Sequence, residues 1–178
     1  MTLNELLSKN KSSILKTWNN QIISSYHPDT AKFLSGTKNQ FANPVGYTTS
    51  ESVEAVFNCL LNNGDEDDFI KALEPVMKIR TVQNPKVSKG IGFIFELKGI
   101  IRSALKKDLS KADFLNDWIK FEQKIDFVGL IAADVYLKCK TELFSIKAER
   151  ERKMVEIAFR QAGIVAKTEK RKSSPDMH

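Results

Sequence analysis

From Phe114 to Gly163 the chain contains no proline and one internal glycine, Gly129. Through that stretch Phe114, Trp118, Phe121, Ile125, Val128, Val135 and Cys139 return at mostly three- and four-residue steps. The spacing is that of one face of an α-helix, and nothing stops it, so a single long helix is expected. Its last part turns heavily charged, with Ile146, Met154, Ile157 and Ile164 as a thinner stripe. Such a helix is expected to project from its own domain and to need a partner along its exposed end.

The rest of the chain reads as helix too. Eight glycines and five prolines in 178 residues are too few for many short strands joined by tight turns. Thr2 and Glu5 have capping-box spacing and open a short helix to Ser8. A second helix is expected from Lys11 to Tyr26, with Ile14, Leu15, Trp18, Ile22 and Ile23 on one face. It ends at His27-Pro28-Asp29, because a residue before proline is driven out of the helical region. Residues 30–47 read as an irregular stretch with one helical turn around Ala31 to Leu34, and its apolar cluster, Phe41 to Tyr47, is expected to pack back on the core. Thr48 and Glu51 cap the next helix, which carries Val53, Val56, Phe57, Leu60 and Leu61 and stops at Asn63-Gly64.

Four acids, Asp65 to Asp68, suit the positive start of a helix running to about Val82, which Pro75 should kink or divide. After Asn84-Pro85, Ser88 is expected to cap a helix from Lys89 to Leu109. It is apolar nearly all round and reads as the central one. Ser110 to Asp113 would cap the long final helix. Residues 167–178 read as a disordered end. The expected division is a helical domain over residues 1–145 and a charged helical extension with a basic tail over residues 146–178.

Composition and motifs narrow the function by exclusion. No apolar run reaches the roughly 18 residues that span a bilayer, and the N-terminus has no secretory pattern, so a cytoplasmic protein is expected. Cys59 and Cys139 lie in apolar helical patterns with no metal or redox spacing and read as reduced thiols. Nucleotide, zinc-hydrolase, serine-hydrolase and calcium-loop motifs are all missing. The two histidines, His27 and His178, give no Glu-x-x-His pair and no proximal haem ligand on a late helix. No catalytic residue, metal or cofactor is expected, and haem in particular is excluded.

Residues 145–178 hold nine basic against five acidic residues, a surplus of four out of the net charge of six. Nucleic-acid or anionic-membrane binding by this tail is one reading. Interleaved glutamates and a shortage of stacking aromatics favour a coiled-coil flank or a solvated face instead.

Three segments taken together point to a family. They are LKTW at residues 15–18, FANPVGYTTSESVEAVF at residues 41–57 and MKIRTVQNPKVSKGIGFIFELKGIIR at residues 77–102. In this order and spacing they resemble the N-terminal domain family of the RsbT co-antagonist proteins, of the RsbR/RsbRD type. The resemblance covers roughly residues 3–145. It implies a haem-free, globin-like helical bundle used as a sensory or regulatory input domain, commonly dimeric. In that family the exit helix leads into a C-terminal STAS domain, for which this sequence shows no βα pattern. A stand-alone regulator, or an accessory subunit of a larger complex, is therefore as consistent with the resemblance as a stress-signalling role.

Two groups of residues become candidate sites. Trp18, Phe41, Asn43, Pro44, Arg80, Gln83, Phe93 and Lys98 are either scaffold or the border of a small-molecule pocket, which would make the domain a sensor or carrier of an apolar ligand. Val128, Val135, Cys139 and Ile146 form a candidate seam for a homodimer or a protein partner.

Overall fold

A computed structural model describes residues 2–26, 30, 31, 34, 41–83, 86–109 and 114–162. The protein is all-α, with no strand among the described residues. Among the described residues six helices have defined bounds, in order α1 (Leu3–Ser24), α2 (Pro44–Asn62), α3 (Glu66–Val82), α4 (Val87–Ala104), α5 (Lys106–Leu109) and α6 (Leu115–Gln161), and Thr30, Ala31 and Leu34 are also helical. Two compact units divide the chain, Met1–Thr141 and Glu142–His178.

In the first unit α1 is one helix rather than two. The Thr2–Glu5 capping box forms in both directions and opens it. The polar stretch around Asn10 does not break it, because Leu6, Leu7, Ile14 and Trp18 continue one buried stripe and the Asn10 amide donates to the Leu6 carbonyl.

α2 begins earlier than its Thr48 signal suggests. Asn43 is the cap, its Oδ1 accepting from the Gly46 amide at 2.8 Å while its Nδ2 donates to the Leu34 carbonyl. Pro44 then occupies the first helical position, where its missing N–H costs nothing. The helix stops at Asn63, which takes the left-handed conformation at φ 52°.

α3 is not divided by Pro75. An interior proline costs about 3 kcal/mol, but its neighbours Leu73, Val76 and Met77 are all buried. Burial of such side chains stabilises by about 1.5–3 kcal/mol each, so packing outweighs the break.

α2 packs on α3, and α1 packs on both α2 and α4. α4 starts at Val87 with Lys86 as its cap, not at Ser88, and it ends at Ala104 with α5 as a separate turn. Nor is it a buried central rod. Gly90, Phe93, Ile94, Leu97, Ile100 and Ile101 are inside, whereas Phe95, Glu96, Gly99 and Arg102 are exposed.

Its antiparallel partner is the first-unit part of α6, as four paired positions show. Gly90 faces Tyr136, Phe95 faces Gly129, Lys98 pairs with Asp126, and Arg102 pairs with Glu122. Each glycine admits an aromatic ring from the other helix. A Cβ at Gly90 would lie 2.5 Å from the Tyr136 ring, and one at Gly129 would lie 2.2 Å from Phe95. The caps read at Ser110–Asp113, the breaks at His27–Asp29 and Asn84-Pro85, and the tail over residues 167–178 fall outside the described residues.

In the second unit α6 continues through Gln161, with Leu143 alone half-buried and every other described residue exposed. Glu149–Lys153 and Glu156–Arg160 form ion pairs one helical turn apart.

Candidate functional site

Arg80 lies in the last turn of α3, where a cation meets the negative end of the helix dipole. It is 5% exposed. Its guanidinium sits over two rings, 5.5 Å from the centre of Tyr26 and 5.4 Å from the centre of Phe93. Nη2 donates to the Lys89 carbonyl at 2.7 Å, and Nη1 makes a long contact of 3.4 Å to the Ser25 hydroxyl. Nε is buried and has no hydrogen-bond partner, and neither has the Tyr26 hydroxyl. A guanidinium carries five donors, so most of its capacity is unused. No carboxylate among the described residues pairs with it, although buried charges are normally paired.

Beside Arg80 is a cavity of about 620 Å³ at the corner where α1 and α3 end and α4 begins. Arg80, Phe93, Ser88, Lys89, Gly92 and Glu96 are among the residues lining it. Phe93 is held from behind by Trp18, whose indole N–H donates to the Phe93 carbonyl at 2.7 Å and whose ring centre is 6.1 Å from that of Phe93. Trp18 is fully buried, so its one polar atom is satisfied and the wall it supports is fixed. Tyr136, also buried, stands close enough for the Arg80 charge to act on it. Burial pushes its phenol above the usual range, and the arginine opposes that in part.

The pocket residues read from the sequence are thus partly gathered and partly dispersed. Arg80, Gln83 and Phe93 line the cavity, and Trp18 supports it. Asn43 and Pro44 serve as the cap and first residue of α2. Phe41 is 94% exposed and does not anchor the loop in the core, contrary to the sequence reading. Lys98 points to another neighbour, pairing with Asp126 at 2.6 Å.

Tyr26, Ser88, Lys89, Gly92 and Glu96 are additions. A signal for the last four existed: Ser88, Gly92 and Glu96 recur at four-residue steps, with Lys89 and Phe93 alongside, marking one polar and small strip on the first half of the helix.

The seam needs correction. Val128, Val135 and Cys139 belong to the core of the first unit, which leaves only Ile146 of that group exposed. A different set of α6 residues faces outward in the first unit: Leu115, Ile119, Phe127, Leu130 and Leu137, each between 45% and 65% exposed. At about 100° per residue, Ile119, Leu130 and Leu137 lie within roughly 20° of one another, nearly opposite the buried stripe. In the second unit Phe144, Ile146, Met154, Val155, Ile157 and Phe159 are exposed.

The remaining chemistry is sparse. Cys59 and Cys139 are free, and burial, followed by Asp68 and Asp65, pushes the Cys59 thiol up and away from its reactive thiolate. Among the described residues no three metal-ligating side chains cluster, and no helix is long and apolar enough to cross a membrane. Neither a protein-family model, nor a curated protein, nor a solved structure matches this chain.

Proposed function

We propose that this chain is a non-catalytic regulatory module that works by protein contact, and that two copies pair through the outer face of α6. The observation that carries the reading is the aligned row of Ile119, Leu130 and Leu137 exposed on that face within the first unit, flanked by exposed Leu115 and Phe127. Single exposed apolar residues are ordinary, whereas an aligned row of them marks a surface that is covered in use. A helix that is apolar on two opposite sides has more greasy surface than its own domain can bury.

A second copy is the occupant that this face suits best. Two-fold pairing sets Leu130 and Leu137 against the same row in the partner, so apolar meets apolar without a separately evolved complement. Interfaces between identical chains are also the more apolar kind. An input role agrees with the motif resemblance at residues 41–57 and 77–102.

Light scattering on dilute protein tests the pairing. The expected mass is that of a dimer, and Leu130→Glu combined with Leu137→Glu is expected to give a folded monomer by circular dichroism. A clean monomer of the native chain at micromolar concentration overturns the proposal.

A further inference from the structure

We propose that the cavity beside Arg80 binds a small monocarboxylate with an apolar or aromatic body, its carboxylate pairing with the guanidinium. Three independent features favour an anion there. Arg80 is 95% removed from solvent, carries an unpartnered Nε and has no acidic partner among the described residues. The N-terminus of α4 opens on the same cavity through Ser88 and Lys89, so the positive end of that dipole lies beside it. Lys89 adds a second cation on the wall. The ends of α1 and α3 turn negative dipole ends toward this corner and stabilise the buried cation in part, but they leave the free donor unmatched.

A guanidinium offers a planar donor fork that an oxyanion can meet in two parallel hydrogen bonds, and carboxylate is favoured over phosphate by charge. Glu96 lines the same cavity and repels a multiply charged anion more strongly than a singly charged one. Phe93 and Gly92 supply the apolar side. A Cβ built on Gly92 meets nothing within 4 Å, so this part of the helix wall stands clear of other atoms.

Thermal unfolding of the full chain, titrated separately with phenylacetate, hexanoate, phenylacetamide and inorganic phosphate, tests the assignment. A saturable rise in Tm is expected with at least one of the two carboxylates, about 5–10 °C at a hundred times its Kd. Phenylacetamide and phosphate are expected to have no comparable effect. Arg80→Met is expected to abolish the rise.

Because Arg80→Met also removes the contact to Lys89, Gly92→Leu serves as the second variant. Gly92 lines the cavity and a Cβ there meets nothing within 4 Å, so the variant is expected to fold normally by circular dichroism and yet lose the ligand-induced shift. The assignment is overturned by any of four results. These are no shift with either carboxylate, an equal shift with the amide, a larger shift with phosphate, or a shift retained by folded Gly92→Leu. Dimeric and monomeric forms are titrated alike, so failure of the pairing at α6 does not affect the outcome.

Discussion

Residues 97–104 of α4 form a closed half, in that Lys98, Arg102 and Ser103 all have polar partners, while polar atoms facing residues 88–96 of the same helix do not. In the C-terminal half, Leu97, Ile100 and Ile101 enter the core, Lys98 and Arg102 pair with Asp126 and Glu122, and Arg102 also lies 5.9 Å from the centre of the Trp118 ring. In the N-terminal half the cap makes no side-chain cap bond, and the facing Arg80 and Tyr26 each keep a buried polar atom without a partner. Both halves belong to one continuous helix. Unmet hydrogen-bonding capacity concentrated at one end is therefore a property of that corner and not of loose packing in general. A buried unpaired donor costs about 1–3 kcal/mol, which is large beside the total stability of a domain.

Three substitutions break or sharpen the contrast. Trp18→Ala has the largest expected effect, a loss of about 3–5 kcal/mol measured by urea unfolding. It removes a fully buried ring and the one bond that fixes the Phe93 wall. A loss below about 1 kcal/mol would mean that the open half is not propped by Trp18 at all.

Gly90→Ala comes next, at a loss of about 1–3 kcal/mol, because the added methyl meets the buried Tyr136 ring rather than a movable chain end. A neutral result there would show that α4 and α6 can separate to admit it. Lys98→Met, in the closed half, is expected to lose no more than about 1 kcal/mol. The lost increment should shrink further in high salt, since Asp126 is half exposed. If Lys98→Met proved the costlier of these last two, the closed half would owe its order to charge and not to packing.

The helical class and most of the core were legible from spacing alone, because a three- and four-residue apolar repeat has one physical meaning in a chain poor in glycine and proline. Which partner covers a stripe was not. Val128, Val135 and Cys139 have the same periodicity whether they face their own domain or another molecule, and the structure places them in their own core. Starts of helices were misread at Thr48, where Asn43 is a competing cap, and at Ser88, where the helix begins at Val87 with no side-chain cap at all. A hydroxyl near a helix start caps it only if the backbone turns there.

Arg80 and Phe93 were singled out by motif, but the cavity joining them to Tyr26 is made by ends of separate helices. Sequence spacing carries no record of such a meeting. The aligned outer residues of α6 could have been separated from the inner ones on a helical wheel, where the two rows fall nearly opposite.

The fit of the Tyr136 ring against Gly90 has one more consequence. Lys89, the next residue along, is the one whose carbonyl accepts from Arg80. A guanidinium that swings toward an incoming acid must let go of, or pull on, the backbone immediately beside that ring. The tyrosine is thus an internal gauge for the arginine: its ring resonances in an NMR spectrum, or its ultraviolet difference signal, should register occupancy of a pocket that it does not line.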